Sequence, residues 1–134
     1  MNLNQGVEIL ENDFIHLELN DGILIGTYKS SIITLNDAIQ VVLLRKKLTK
    51  NIKYPALIKD YSVVKIEKKA REFFASDEGS EGFSSVAVLT DSIYKSTLMN
   101  FFMKVLPPKM PVKLFNTEKE ALIWLSEYKI QQRE

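Results

Sequence analysis

The segment that most constrains the fold is SVAVLT, at residues 85–90, which is almost entirely apolar and rich in β-branched residues. Strands of this composition are covered on both faces, as in the parallel sheets of α/β proteins. A second short apolar strand, PALIKD, occupies residues 55–60, with Pro55 at its first position, where a missing N–H group is tolerated. Between them, apolar residues at spacings of three and four predict an amphipathic helix that starts near Ile66. Its apolar face consists of Ile66, Ala70, Phe73 and Phe74.

The N-terminal part of the chain predicts a β-hairpin. Residues 14–19, FIHLEL, alternate between two faces with a period of two, which is typical of a half-buried strand. The Asp-Gly pair at positions 21 and 22 supplies the positive φ of a tight turn. Ile23–Tyr28, ILIGTY, then returns antiparallel, and a short strand over residues 6–10 is expected before the hairpin.

Helices alternate with strands in the rest of the chain. A Thr-x-x-Asp capping box at residues 34–37 begins a helix that is expected to reach about residue 50. A third helix is predicted over residues 92–106, and the LPPKMP segment after it forces an extended connection. Val112–Phe115 is the last strand, and a second capping box, at residues 117–120, begins the last helix.

This order of elements predicts a single α/β domain over residues 1–134, with a polar tail from about residue 130. The N-terminal hairpin precedes helices that alternate with strands, so the sheet is expected to be mostly parallel with right-handed crossovers. The length suits one domain.

Composition excludes several classes of protein. There are no cysteines, so disulfides, thiolate catalysis and cysteine-ligated metals are excluded. The net charge is +1, so no global field recruits nucleic acid. Neither a signal peptide nor an apolar stretch of the ~20 residues that span a bilayer is found, so we expect a cytoplasmic protein without membrane insertion.

The segment IKDYSVVKIE, at residues 58–67, carries the most specific resemblance. The chain resembles the STAS family of anti-anti-sigma-factor-like (SpoIIAA-like) proteins, whose third strand typically ends in Asp-Leu-Ser and leads to Asp-Ser-Ser/Thr-Gly at the next helix. The segment is similar to that pattern at Asp60, Ser62, Val64 and the Ile66–Glu67 pair, but it is one residue shorter. The stretches ITLNDA, AREFFAS and NFFMKVLPPKMPVKLF resemble uncharacterised small bacterial members of this fold.

The resemblance implies a regulatory switch, and the sequence departs from it at the decisive position. In the regulatory members a Ser or Thr at the start of that helix is phosphorylated, and the added charge ejects the partner. Here positions 67–70 read Glu67, Lys68, Lys69 and Ala70, without a hydroxyl. Ser62 is the nearest hydroxyl, and we interpret it as a turn-forming serine that bonds its own backbone.

No pattern of catalytic or metal-ligating residues emerges. His16 is the only histidine and lies in mid-strand, as a surface or satisfied residue. Asp60 ends a strand and is expected to cap the following turn, although it is also the candidate carboxylate if the protein is an enzyme. The acidic run at residues 77–81 predicts a solvated loop, and the cations of residues 45–53 predict a helix end stabilised by its macrodipole. We therefore expect no cofactor and no metal.

The predicted third helix has an unusually wide apolar surface. Met99, Met103 and Leu106 extend its main apolar stripe. The apolar arc of the helix is then about twice as wide as an ordinary surface helix needs. These residues, with Phe102, are predicted to contact either a neighbouring element of the same chain, a second copy, a protein partner or an apolar ligand.

The sequence thus predicts a non-catalytic cytoplasmic interaction module of STAS type that forms homodimers or binds an unknown protein partner. The alternatives are a small carrier that holds an apolar or lipid-like ligand beside the third helix, as in Sec14-like domains, and an enzyme that uses Asp60.

The substitution Met103→Lys tests the contact surface. If the flank mediates self-association, the lysine places an unpaired charge in the interface, so association is lost while the melting temperature changes little. Sedimentation and thermal unfolding measure the two effects. A strongly destabilised monomer, or a stable protein that associates as before, contradicts the interface.

Overall fold

The computed structural model describes residues 7–91 and 109–129. Its main sheet has six strands in the order β1-β2-β3-β5-β7-β8. The strands are β1 Glu8–Glu11, β2 Ile15–Asn20, β3 Ile23–Tyr28, β5 Tyr54–Lys59, β7 Phe83–Leu89 and β8 Val112–Phe115. A separate two-stranded ribbon pairs β4 Ile32–Ile33 with β6 Lys65–Ile66. The described helices are α1 Leu35–Thr49, α2 Lys68–Ala75, α3 Asp77–Ser80 and α4 Glu118–Ser126.

The pairing pattern confirms the predicted mixed sheet. β1, β2 and β3 are antiparallel, and β3, β5, β7 and β8 pair in parallel. The hairpin turn at Asp21 and Gly22 has positive φ at both residues, as the Asp-Gly pair predicts. The third predicted helix, at residues 92–106, lies outside the described residues.

Both faces of the central strands are buried, as their composition requires. On one face, residues such as Leu24, Ala56 and Val88 pack with apolar side chains of α1 and α2. On the other face, Leu57 and Ala87 belong to a cluster that includes α4 residues. The α4 residues in that cluster are Ala121 and Leu125, both fully buried.

The helix caps form largely where the sequence places them. Thr34 Oγ1 accepts a hydrogen bond from the Asp37 N–H group, and the Asp37 carboxylate accepts one from the Thr34 N–H group. At α4 the Thr117 hydroxyl accepts from the Glu120 N–H group. The prediction for α2 is wrong by two residues, because Ile66 pairs with Ile33 in the ribbon and the helix starts only at Lys68.

The acidic segment after α2 is a short helix and not the predicted loop. The Ser76 hydroxyl caps α3 by accepting from the Gly79 N–H group. Gly79 is buried, and a Cβ atom there would lie 2.0 Å from the Phe73 carbonyl oxygen. A glycine is therefore required by close packing, although the neighbouring Asp77 and Glu78 side chains are exposed.

Among the cations at the end of α1, Arg45 is buried, which the sequence did not predict. Its side chain is only 5% exposed. Nη2 donates to the carbonyl oxygens of Gly79 (3.0 Å) and Glu81 (3.1 Å), and the guanidinium lies 4.3 Å from the Phe83 ring centroid. Burial lowers the pKa of Arg45 below its usual value. The arginine ties the end of α1 to the connection between α2 and β7.

Tyr28 is buried at the end of β3, and its titration tests the packing there. Burial raises the pKa of Tyr28 from 10.0 to about 12, and the nearby positive charge of Arg45 opposes this shift. The unfolded chain therefore releases the proton first as the pH rises. The free energy of unfolding is expected to fall by about 2 kcal/mol between pH 10 and pH 12 from this residue alone.

Urea unfolding at a series of alkaline pH values measures the effect. Tyr28→Phe should lack this part of the decline, whereas Tyr61→Phe, at an exposed position, should behave as the wild type. An identical decline in Tyr28→Phe and wild type would contradict a buried Tyr28 hydroxyl.

Candidate functional site

The turn after β5 lies at the carboxyl end of the parallel strands, where α/β proteins commonly bind ligands and partners. Asp60 is 3% exposed. Its N–H group donates to the Leu89 carbonyl oxygen at 3.4 Å, and its own carbonyl oxygen accepts from the Val63 N–H group at 2.9 Å. The backbone of Asp60 therefore closes the turn and joins it to the neighbouring strand.

Ser62 binds a different segment from the one predicted. Its hydroxyl lies 2.9 Å from the Tyr28 carbonyl oxygen and 3.1 Å from the Ser30 carbonyl oxygen, so it donates to the chain that leaves β3. The prediction that Ser62 bonds its own backbone is wrong. Ser62 is more than thirty positions from both of these residues in the sequence, and only the tertiary structure brings them together.

Backbone hydrogen bonds continue this connection into the ribbon. The N–H groups of Val64 and Lys65 both donate to the Ser31 carbonyl oxygen, at 2.7 Å and 3.1 Å. The Glu67 N–H group donates to the Ile33 carbonyl oxygen at 3.0 Å. The segment from Asp60 to the start of α2 is thus held along its length.

Three large apolar side chains are exposed on this segment and on the β4 strand that pairs with it. Val64 is 74% exposed, Tyr61 is 52% exposed and Ile32 is 48% exposed. Ile32 pairs with Lys65 in the ribbon, next to Val64, and Tyr61 lies in the adjoining turn. We call Ile32, Tyr61 and Val64 the ribbon patch. The ribbon patch was not predicted from the sequence. Its signals are the two isoleucines after the Ser-Ser pair and the Val-Val pair after Ser62.

Glu67 and Lys68 occupy the start of α2, as the resemblance to STAS proteins implies. Glu67 is the N-cap residue, and its side chain makes no capping hydrogen bond. Both side chains are exposed. A carboxylate at this end of a helix is favourably placed relative to the macrodipole.

His16 lies on the sheet surface and has a partner, as predicted for a satisfied histidine. Its Nδ1 atom is 3.4 Å from Glu11 Oε1. Glu11 also pairs with Lys29, whose Nζ atom donates to the Asn12 carbonyl oxygen at 2.7 Å. The bond from Lys29, and secondarily that from His16, holds the pKa of the Glu11 carboxyl below its usual value.

The other predicted contact residues, Met99, Phe102, Met103 and Leu106, lie outside the described residues. Across residues 7–91 and 109–129, no group of three or more histidine or acidic side chains could hold a metal ion. No helix within those ranges is long and apolar enough to cross a bilayer.

Comparisons with known proteins support the fold. The family model described as Domain of unknown function (DUF7793) matches residues 17–129. A crystal structure from Shewanella loihica PV-4, an uncharacterised protein of the DUF3478 family with a SpoIIAA-like fold, is 20% identical and aligns over 89% of this chain and 91% of that chain, with a TM-score of 0.59. This similarity confirms the predicted SpoIIAA-like fold.

A protein of unknown function from Arthrobacter sp. FB24 is 26% identical and aligns over 95% of this chain and 97% of that chain. Its TM-score is 0.32, too low to bear on the fold. No curated protein matches the sequence significantly.

The bridge from Ser62 gives a prediction for the stability of the turn. Ser62→Ala leaves two partly buried carbonyl groups without this donor, so the free energy of unfolding should fall by about 1–2 kcal/mol. Ser31→Ala, at an exposed neighbour, should change it by less than about 0.5 kcal/mol. Chemical unfolding measures both, and equal stability of the two variants would show that the bridge contributes nothing.

Proposed function

Because the chain belongs to the DUF7793 family and has a SpoIIAA-like fold, we propose that it is a non-catalytic interaction module that binds a protein partner through the ribbon patch. It does so in the cytoplasm and without phosphorylation at the start of α2. STAS regulators bind protein partners, and the segment at residues 58–67 resembles the corresponding segment of those proteins.

The observation that carries this proposal is the exposure of Ile32 on β4 and of Tyr61 and Val64 in the segment that leads to β6, the strand paired with β4. Isolated exposed apolar residues are common on protein surfaces, but a group of three at the carboxyl end of a parallel sheet is a typical contact site. Tyrosine in particular is enriched among the residues that dominate binding energy.

The rigidity of the segment supports the same function. The Ser62 bridge and the bonds to Ser31 and Ile33 hold the patch in one conformation. A surface that is already ordered loses less conformational entropy when a partner binds, so more of the contact energy appears as affinity.

The charged residues around the patch have the character of an interface rim. Lys65, Glu67 and Lys68 are exposed and follow Val64 closely in the sequence, and Lys65 is the ribbon partner of Ile32. A polar rim around an apolar centre is the usual arrangement of a protein–protein interface. Charges of both signs in such a rim act mainly on specificity and association rate.

A regulatory role is favoured over catalysis by the setting of Asp60. Asp60 is only 3% exposed, and its backbone closes the turn. A general base must reach its substrate, which this burial opposes.

The predicted surface on the third helix remains a separate proposal. Met99, Phe102, Met103 and Leu106 would form either a homodimer contact or one wall of a site for an apolar ligand. The Met103→Lys measurement described above distinguishes these uses from packing within the chain.

The substitution Val64→Asp tests binding through the ribbon patch. The aspartate should abolish partner binding because a carboxylate would be desolvated against an apolar surface, while the largely exposed position leaves stability almost unchanged. Leu43→Asp is the matched control, since Leu43 is 53% exposed on α1. Affinity purification from cells of the source organism, followed by sedimentation of the isolated complex, compares the three proteins.

The expected result is a partner retained by wild type and Leu43→Asp and lost by Val64→Asp. A partner that binds all three proteins equally would show that the interface does not include the ribbon patch. Turnover of a substrate that is abolished by Asp60→Asn in a stable protein would contradict the non-catalytic role.

A further inference from the structure

A second surface feature lies on the sheet face that α4 partly covers. A groove of about 530 Å³ runs between α4 and strands β2 and β3. Its apolar lining includes Ile23, Ile25 and Leu122, and its polar lining includes His16, Glu18 and Thr27. This volume falls within the range of about 300–1,000 Å³ that is typical of small-molecule sites.

The charges at the groove are not balanced. Lys59 Nζ lies 3.0 Å from Glu118 Oε1, and Lys129 Nζ lies 2.9 Å from Asp21 Oδ2. Each of these two cations therefore already has an acidic partner. Glu18 is the remaining acid in the lining, and within the described part of the chain no cation forms an ion pair with it. Its contact is the Asn20 side-chain amide, which donates to Oε2 at 3.1 Å.

The register of the sheet places an apolar side chain on each side of this carboxylate. Glu18 is opposite Ile9 on β1 and opposite Ile25 on β3, so both cross-strand neighbours are isoleucines. Side chains directly opposite each other in antiparallel strands lie on the same face of the sheet. An apolar surrounding strengthens the attraction between a carboxylate and an incoming cation relative to bulk water.

We propose that this groove binds a small organic cation with an aliphatic body. The ammonium group donates to the Glu18 carboxylate, and the Asn20 amide oxygen is a further acceptor on the same strand. The aliphatic part lies over Ile25 and Leu122. This site is independent of the ribbon patch, so failure of either proposal leaves the other standing.

The sign of the ligand follows from the charges in the lining. An anion would have to displace Glu118 from Lys59 or Asp21 from Lys129, and it would then lie near Glu18. A cation needs no existing ion pair to break. The unpaired acid and the two paired cations thus select a positively charged ligand.

Hexylammonium and 1-hexanol form a matched pair of probes, because they share the aliphatic chain and differ in charge. Titration of the full chain with each, followed by ¹H–¹⁵N correlation spectra, measures affinity and location together. Hexylammonium should shift the amide signals of β2 and β3 next to the groove and bind about tenfold more tightly than 1-hexanol. Added salt should weaken only the binding of the ammonium probe.

Glu18→Gln keeps the size of the side chain and its ability to accept from Asn20, so the fold should survive, as the spectrum itself reports. It should reduce hexylammonium affinity about tenfold and leave 1-hexanol unchanged. Glu72→Gln, at an exposed acid on α2, is the matched control and should bind as the wild type. Equal affinity for the two probes, equal binding by Glu18→Gln and wild type, or absence of binding would each overturn the proposal.

Discussion

The parallel pairing of β5 with β3 and β7 is the constraint on which the rest of the structure depends. Leu57, Ala87 and Val88 are fully buried because helices cover the central strands from both sides. Backbone polar groups that are buried in such a layer are nearly always paired, and the strands pair them most efficiently within the sheet. Loops consequently leave the sheet only at its ends, and the carboxyl end is where the turn from Asp60 to the ribbon is formed.

At the carboxyl end of the sheet, hydrogen bonds fix the turn and the ribbon in a defined surface. Asp60 joins its turn to β7, Ser62 joins the turn to the chain after β3, and Ser31 accepts two N–H groups from the ribbon. These bonds hold Tyr61 and Val64 outward although both belong to a short loop. Binding surfaces on a rigid scaffold are a common use of such loops.

Two different kinds of surface are therefore present on one fold. The ribbon patch is an apolar surface with a charged rim, which suits a protein partner. The groove on the α4 side combines an apolar floor with a carboxylate that forms no ion pair with any cation of the described residues, which suits a small cation. They are formed by different sets of side chains, since none of the three ribbon-patch residues lines the groove.

The sequence by itself determined the elements whose signals are local. The Asp-Gly turn, the Thr34 cap and the apolar runs of β5 and β7 each depend on neighbouring residues, and the resemblance at residues 58–67 led to the SpoIIAA-like fold. Only the tertiary structure decided which distant groups meet. Arg45 is buried against two carbonyl groups and the Phe83 ring, which belong to residues more than thirty positions away in the sequence. Ser62 donates to β3 rather than to its own turn, and Glu18 is flanked by isoleucines of two other strands. Such contacts have no local signature, because their geometry arises only when the strands are in register.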